Sequence, residues 1–233
     1  MKKLWATLFA TFFAFTVNIA SADVSGLAIG ISFSNNELDT LVTDDIDSNG
    51  TINTTKALTD TAQAGSIFAE FTGVSAGGGL AVTLGVDYIP VDADLDKRST
   101  TQASIKDKTA DGTATSGTNT GKASIEDHLT FYIQPGIVLG DGNTMLYGTL
   151  GYSRADITAT WESVSSTNTT KVQTLDGSKV GVGVKHVFGN GLLLKLDYSE
   201  TDYDKVSYKT TNSTTVSGDI DNQVIALSIG KSF

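Results

Sequence analysis

The segment of residues 45–53 carries the pattern in this sequence best suited to binding a cation. Asp45, Asp47 and Asn49 offer oxygen ligands at alternate positions, and a glycine follows where a calcium-binding loop turns sharply. Position twelve of such a loop is Lys56, where a bidentate glutamate is usual. Two interpretations stay open, a weak calcium site on these three side chains and a solvated acidic turn, and we favour the turn. No other cofactor is expected.

The other side chains that could do chemistry give little support for catalysis. The chain has two histidines, His128 and His186, and no cysteine, which disfavours zinc and thiol chemistry. Its formal net charge is −10, whereas nucleic acids and anionic lipid surfaces attract proteins with a positive field. We therefore expect a non-enzymatic protein without a nucleic-acid partner.

The first 22 residues have the three zones of a secretory signal. Lys2 and Lys3 precede an apolar run over residues 4–17, and small residues lead up to Ala22. The run is shorter than the roughly 20 residues that span a bilayer as a helix. We expect cleavage after Ala22, which removes two lysines and takes the formal net charge to −12.

From Asp23 onward, apolar residues recur at every second position in segments of about ten residues, which is the period of a β-strand. Phe68 is an exception, because it falls on the polar face of its segment. Eight segments show the pattern, at residues 27–34, 66–72, 80–88, 128–137, 146–153, 180–185, 192–199 and 225–233. Pro135 interrupts the fourth, and its missing N–H predicts a bulge or a position near a turn.

The connections alternate between short and long. Gly-rich or Asn-Gly turns are predicted at residues 75–79, 140–143 and 189–191, and long Thr-, Asn- and Asp-rich loops at residues 35–64, 90–127, 155–177 and 200–221. An even strand number puts both termini on the side of the short turns, the asymmetry of a bacterial outer-membrane barrel. The sequence thus predicts a signal peptide over residues 1–22 and, over residues 23–233, an all-β, eight-stranded antiparallel up-and-down transmembrane β-barrel. Its four long loops are expected outside the cell and its termini in the periplasm.

The two faces of the predicted strands indicate what surrounds the barrel. A soluble barrel would turn its apolar face inward, but here the polar face is rich in glycine and charge, which suits a narrow lumen, whereas the Val, Leu and Ile face suits lipid. Aromatic residues near the strand ends fit an interface belt. Unpaired charges in a lumen are costly, so we expect an ion network of Glu70, Asp87, Lys185, Lys195 and Asp197.

On these features the sequence resembles the OmpA/OmpX-like family of eight-stranded outer-membrane barrels, for the barrel domain only. The likeness rests on the layout, on the stretches at residues 146–152, 181–186 and 196–198, and on the terminal Phe233. The resemblance implies insertion by the barrel assembly machinery, which reads the last strand. For the lumen network two interpretations stay open: the charges fill the barrel and fix its register, which we favour, or they gate a narrow water path, as the resemblance implies. The assembly signal here comprises Ile225, Leu227, Ile229 and Phe233. Lys231 departs from the family's apolar pattern and is expected to extend to the interface.

Three functions follow in order of preference. The first is a structural or surface-interaction role, adhesion or shielding, for a monomer in the Gram-negative outer membrane. Its expected partners are outer-membrane lipid, lipopolysaccharide and an unidentified extracellular ligand. The second is a narrow porin-like channel for ions or small solutes, and the third is a lipid A-modifying enzyme. The third rests on the likeness of His128-Leu129-Thr130 to the His-x-Ser pair of outer-membrane lipid A deacylases. In this chain Thr130 stands where those enzymes have the serine.

Overall fold

Most of the chain from residue 23 onward is described by a computed structural model. The described ranges are residues 23–45, 52, 54–77, 79–91, 93–94, 98–106, 114–140, 142–162, 169–209 and 215–233. The predicted signal peptide lies outside them, as do Asp47 and Asn49 of the predicted calcium site. Within these ranges no helix is long and apolar enough to cross a membrane.

The alternating segments form β-strands that pair with their neighbours. The strands are β1 Gly26–Asp45, β2 Thr54–Val74, β3 Leu80–Ile89, β4 Ala93–Asp94, β5 Arg98–Lys106, β6 Ala114–Leu139, β7 Thr144–Glu162, β8 Thr169–Val187, β9 Leu192–Lys209 and β10 Thr215–Ser232. β3, β4 and β5 pair with successive parts of β6. They therefore count as one interrupted strand of the barrel, and the ten segments make eight strands.

The eight strands close into a ring, and every neighbouring pair is antiparallel. β2 joins β1 to β3, β6 to β10 follow in chain order, and β10 returns to β1 with Ala28 opposite Ser232. Closure pairs the strand edges that an open sheet would expose. The predicted eight-stranded antiparallel barrel is confirmed.

The outer face of the ring is apolar around the end that carries the short turns, here called the turn end. Large apolar side chains project from it with about half of their surface exposed, including Leu84, Leu150, Leu196, Ile225 and Leu227. Their polar neighbours along each strand point into the lumen, as the alternation requires. The predicted assignment of the two faces is confirmed in this part of the barrel.

The lumen has three layers. An apolar cluster fills the turn end, formed by Val24, Ala28, Phe68, Ala81, Met145, Tyr147, Val187 and Leu193. Charged and hydroxyl side chains fill the middle. A second apolar cluster, here called the upper cluster, lies toward the opposite end and comprises Leu38, Leu175, Tyr203 and Ile220. The expectation of a lumen filled by charged and small residues is correct only for the middle layer.

Phe68 follows the inward and outward alternation of β2, although an aromatic residue on the polar face made this doubtful from the sequence. Its side chain is 2% exposed and lies in the lumen. The ring fits because Gly30 on the neighbouring strand has no side chain, and a Cβ there would come within 2.6 Å of the ring. A large aromatic residue on the inner face of a small barrel therefore needs a glycine beside it, a pairing across strands that a single strand does not reveal.

Above the apolar belt the strands continue far into the segments predicted as loops. β1 runs to Asp45, β7 to Glu162 and β9 to Lys209, so the predicted loop bounds are too wide. The Thr- and Val-rich composition of these segments favours strands. This region is here called the hairpin end.

The ring opens into two sheets at the hairpin end. β2 pairs with β3 only from Ile67 to Val74, and β8 pairs with β9 only from Gly177 onward. One sheet, here called the first sheet, therefore consists of the upper parts of β2, β1, β10 and β9, and the other of β5, β6, β7 and β8.

Pro135 lies in β6 without the predicted bulge. The register between β6 and β7 is the same on both sides of it, but Gln134 and Pro135 have no ladder partners on β7. The missing N–H therefore leaves a gap in the ladder, five residues before the turn that begins at Gly140. The bulge of this strand lies between Glu126 and Leu129, beside Asp127 with its positive φ of 50°.

Candidate functional site

The middle layer of the lumen is organised around one carboxylate, that of Glu70 on β2. Its side chain has no exposed surface, and its two oxygens lie 3.0 Å from Lys185 Nζ and 2.7 Å from Lys195 Nζ. The Tyr132 hydroxyl donates a further hydrogen bond of 2.9 Å to Glu70 Oε2. The carboxylate thus links β2, β6, β8 and β9 across the lumen. These residues are here called the Glu70 cluster.

The two lysines satisfy their charge in different ways. Lys185 Nζ has three acceptors, because it also donates to Thr72 Oγ1 at 2.8 Å and Thr83 Oγ1 at 3.1 Å. An ammonium group has three donors, so Lys185 is fully hydrogen-bonded. Lys195 Nζ instead faces the aromatic rings of Phe68, Tyr132 and Tyr147, with its nitrogen 5.2 to 5.6 Å from the ring centroids, a range for cation–π attraction.

The remaining two predicted charges lie in the lumen but not in this cluster. Asp87 accepts a hydrogen bond of 2.7 Å from the Ser66 hydroxyl, and Asp197 accepts one of 2.6 Å from the Tyr147 hydroxyl. Both carboxylates are attracted by Lys179, which the sequence analysis did not name. Lys179 lies on the same face of β8 as Gly181, Gly183 and Lys185. Continuing the alternation two residues before Gly181 would have identified it.

His128 and Thr130, considered as a remote catalytic pair, both point into the lumen. His128 Nε2 lies 2.8 Å from the Tyr203 hydroxyl, and Thr130, 1% exposed, shares a hydrogen bond of 2.8 Å with Ser153. His128 is therefore a residue of the lumen. Neither side chain faces the apolar belt, where an acyl chain would lie.

The predicted calcium ligands are not brought together among the described residues. Asp45 ends β1, while Asp47 and Asn49 lie outside the described ranges. In the part of the chain that the structure describes, no group of three His, Asp or Glu side chains is arranged to hold a metal ion. The calcium site stays a prediction.

The predicted assembly signal forms the outer face of β10. Ile225, Leu227 and Ile229 are exposed there, and the Phe233 N–H donates 2.8 Å to the carbonyl of Leu27 on β1. The last residue is thus held to the first strand at the point where the ring closes. Lys231 reaches the turn end, where its ammonium group donates to the Asn190 carbonyl.

A known family accounts for this combination of an apolar belt, a charged lumen and short turns at one end. Residues 6–233 match the family described as the outer membrane protein beta-barrel domain. The chain belongs to this family. The protein is therefore a transmembrane β-barrel of the outer membrane, and the exposed Leu, Ile and Val of the belt face lipid. No curated protein is similar to the chain at a significant level.

Three solved outer-membrane proteins are similar to the chain at low sequence identity. The outer membrane protease OmpT from Escherichia coli is 9% identical, with a TM-score of 0.50 over 94% of this chain and 100% of that one. Ail, the attachment invasion locus protein of Yersinia pestis, is 12% identical, with a TM-score of 0.41 over 90% and 100% of the two chains. Neisserial surface protein A is 10% identical, with a TM-score of 0.33 over 88% and 99%. The likeness to OmpT shows the fold alone.

Proposed function

We propose that this outer-membrane barrel is a non-enzymatic surface protein whose hairpin end, outside the cell, binds an extracellular partner by strand addition. The observation that carries the proposal is the open edge of the first sheet. Residues 54–66 of β2 pair with β1 on one side, and no described strand pairs with them on the other. An unpaired edge presents backbone donors and acceptors that an incoming strand can use.

The side chains along this edge suit a partner strand. The outward residues are uncharged and well exposed, namely Thr55, Ala57, Thr59, Thr61 and Gln63. Natural edges that avoid pairing usually carry lysine, proline or a bulge. The outward side of this edge has no lysine, proline or bulge. Lys56 and Asp60 occupy the inward-facing positions between these residues.

The first sheet also limits the chemistry of the partner. Asp39, Asp221 and Asp202 are direct neighbours across β1, β10 and β9. Glu37 and Glu200 flank them in the next row, with Gln223 between them. A strand that carries lysine or arginine complements such a surface and is steered toward it. A neutral or acidic partner gains nothing from it.

The orientation of the barrel is part of the proposal. A β-strand crosses the hydrocarbon core with about 9 to 11 residues, so β1 and β6, at 20 and 26 residues, extend well beyond it at one end. Outer-membrane barrels have short turns in the periplasm and longer connections outside. We infer that the turn end and both termini are periplasmic, that lipopolysaccharide surrounds the hairpin end, and that the assembly machinery recognises the exposed face of β10.

Adhesion of cells that carry the barrel tests the proposal. Cells with the wild-type protein and cells with an empty vector are compared on immobilised extracellular-matrix proteins. We expect wild-type cells to bind, and the pair Thr61→Lys and Gln63→Lys to reduce binding at least fivefold by charging the edge. The control is Thr43→Lys, on β1, which is paired on both sides. Equal binding by the edge variant and the control would contradict strand addition, and no binding above the empty vector would favour a structural role.

A channel is the second candidate, supported by the charged middle layer of the lumen. Eight strands leave a lumen that side chains normally fill, and two apolar clusters lie in series with the Glu70 cluster. Planar-bilayer recordings of the refolded protein distinguish the two functions. Steady conductance that changes with Lys185→Met would put the channel first.

The lipid A-modifying enzyme is the weakest candidate, because His128 and Thr130 face the lumen. Lipopolysaccharide incubated with the purified barrel and analysed by mass spectrometry should keep all of its acyl chains. The predicted calcium site is tested separately by calcium titration of the wild type and of Asp47→Ala. Identical titration curves would remove the site.

A further inference from the structure

The order of side chains along the open edge of β2 makes this edge complementary to itself. Residues 54–66, here called the β2 edge, contain two charged side chains, Lys56 and Asp60, which lie two positions before and two positions after Leu58. All three share the inward face of the strand, where Lys56 is exposed and Leu58 is partly exposed. The other residues within four positions of Leu58 are threonine or alanine. The segment is therefore symmetric in size and opposite in charge about Leu58.

Two copies of the β2 edge fit together when they pair antiparallel about a twofold axis through Leu58. Lys56 of each copy then lies directly opposite Asp60 of the other. Thr55 lies opposite Thr61, and the two Leu58 side chains meet at the axis. Opposite charges and threonine pairs directly across an antiparallel ladder stabilise it, and contact between the leucines removes apolar surface from water.

Other registers of the same pairing lose this complementarity. The N–H and C=O groups of successive residues point to opposite sides of a strand, so only a twofold axis through a residue sets the edge-facing groups of the two copies against each other. An axis through Ala57 or Thr59 leaves both charged residues opposite neutral ones. An axis through Lys56 or Asp60 sets like charges together, which destabilises the pair. The side chains thus favour Leu58.

We propose that the β2 edge is homophilic, and that residues 54–62 of one copy pair with the same residues of a second copy by strand addition. This inference rests on the open edge of the proposed function and names a further occupant for it. Two barrels in one membrane point the same way, so their β2 strands run parallel and cannot form this pairing. Barrels in two facing membranes present β2 in opposite directions. The contact is isologous and closes with two copies, one on each of two cells.

The acidic surface of the first sheet does not prevent this contact. Its outward residues Glu37 and Asp39 lie on β1, one strand away from the β2 edge. Neighbouring strands are about 4.8 Å apart, so three spacings of about 14 Å in total separate β1 of one copy from β1 of the other. This separation exceeds the Debye length of about 8 Å at physiological salt, which screens the repulsion. Many such contacts between two surfaces add through avidity.

Charge reversal tests the pairing and its register. Lys56→Asp leaves two acidic side chains in each β2 edge, and Asp60→Lys leaves two lysines, so neither variant should pair with itself. The two variants should pair with each other, because each acidic side chain of one then faces a lysine of the other. The double substitution Lys56→Asp with Asp60→Lys exchanges the two charges and should keep self-pairing.

Vesicle clustering measures these outcomes with the purified protein. Each refolded barrel is reconstituted into phosphatidylcholine vesicles, and clustering is followed by light scattering. We expect wild-type vesicles and those with the double substitution to cluster at least fivefold faster than empty vesicles. Each single variant alone should cluster at least fivefold more slowly than the wild type. An equal mixture of the two single variants should return to within about twofold of the wild-type rate, since half of its encounters are between unlike vesicles.

Two results would overturn the inference. Wild-type vesicles that cluster no faster than empty ones would exclude homophilic pairing. Single variants that cluster like the wild type, or a mixture that stays dispersed while circular dichroism shows both barrels folded, would exclude the register about Leu58. Failure of the proposed function is distinguishable, because cells that do not bind matrix proteins while wild-type vesicles still cluster would contradict only the matrix partner.

Discussion

At the scale of single residues, Glu70 is the side chain on which the charged layer depends. Two buried lysines contact its carboxylate, with side-chain exposures of 1% and 5%. Removing one partner of a buried ion pair leaves an uncompensated charge. We expect Glu70→Gln to lower the free energy of unfolding by about 3–5 kcal/mol, measured by urea denaturation in lipid vesicles and followed by circular dichroism.

The control for this prediction is Asp87→Asn, also in the lumen. Its carboxylate accepts a serine hydroxyl hydrogen bond and is attracted by Lys179. Among the described residues it contacts no lysine as directly as Glu70 does, so its loss should cost less, about 1–3 kcal/mol. A second comparison adds Lys195→Met to Glu70→Gln, which removes one of the two stranded charges and should recover part of the loss. If Glu70→Gln were no more destabilising than Asp87→Asn, the ion cluster would not be a major source of stability.

Asp221 is a residue whose charge opposes folding. It projects from the first sheet above the apolar belt, and its pKa is raised above the usual aspartate range by partial burial and by Asp202, Asp219, Glu200 and Asp39. The folded state therefore binds the proton more tightly than the unfolded state. The charged carboxylate therefore destabilises the folded state most at neutral pH. The destabilisation decreases as the pH falls below the raised pKa and is lost below the ordinary pKa of aspartate.

This electrostatic cost gives a pH-dependent prediction. Asp221→Asn should stabilise the barrel at pH 7 by less than about 0.5 kcal/mol, since the site is mostly exposed and screened. The gain should disappear below about pH 4 and shrink in about 1 M salt. Urea denaturation at the two pH values measures it. A gain of equal size at pH 4 would rule out charge repulsion as its cause.

At the scale of elements, the packing of strands around the lumen aromatics sets where a side chain is tolerated. A Cβ on Gly85 of β3 would overlap Tyr132 Cζ. The ring has little freedom to move, because its hydroxyl bonds to Glu70. We expect Gly85→Ala to destabilise the barrel by about 1–3 kcal/mol through overpacking, measured by urea denaturation.

Gly73→Ala on β2 is the matched control. It also lies in a strand, on the outward face, and nothing lies within 4 Å of the added Cβ. Alanine reduces the freedom of the unfolded chain, so this variant should be neutral or slightly more stable. Equal losses for both variants would mean that strand geometry, not the close approach to Tyr132, sets the cost.

At the scale of the whole molecule, lipid contact determines which exposed leucines are stabilising. Leu227 is 57% exposed within the apolar belt, whereas Leu41 is 44% exposed on β1 at the hairpin end. A lysine facing the middle of the bilayer costs about 2–4 kcal/mol and little outside it. We expect a loss of this size for Leu227→Lys and almost none for Leu41→Lys, in unfolding measurements in lipid vesicles.

The contrast between the two leucines also tests the placement of the membrane. Similar losses for both variants would mean that the hairpin end is in the bilayer or that the belt is not. A barrel that stays folded and monomeric in water without detergent would contradict the outward apolar face altogether.

The sequence alone determined the barrel, because alternation, turn residues and the period of two are local properties of each strand. It also determined which residues of the belt face lipid and placed five charged residues in the lumen, since both follow from strand parity. Lys179 has the same parity but was not named. Whether the carboxylates and lysines pair was not decided in this way. Only closure of the barrel, which sets β2 opposite β8 and β9 across the lumen, brought Glu70 to Lys185 and Lys195. It left Asp87 and Asp197 with hydroxyl donors.

Tertiary structure alone decided what fills the interior of the hairpin end. Leu38, Leu175, Tyr203 and Ile220 lie far apart in segments rich in Thr, Asn and Asp, so composition suggested loops. Pairing extended the strands, and once they were paired these residues converged on the inner face. Burying apolar surface is a collective effect of side chains from four strands, so no single segment of the sequence could show it.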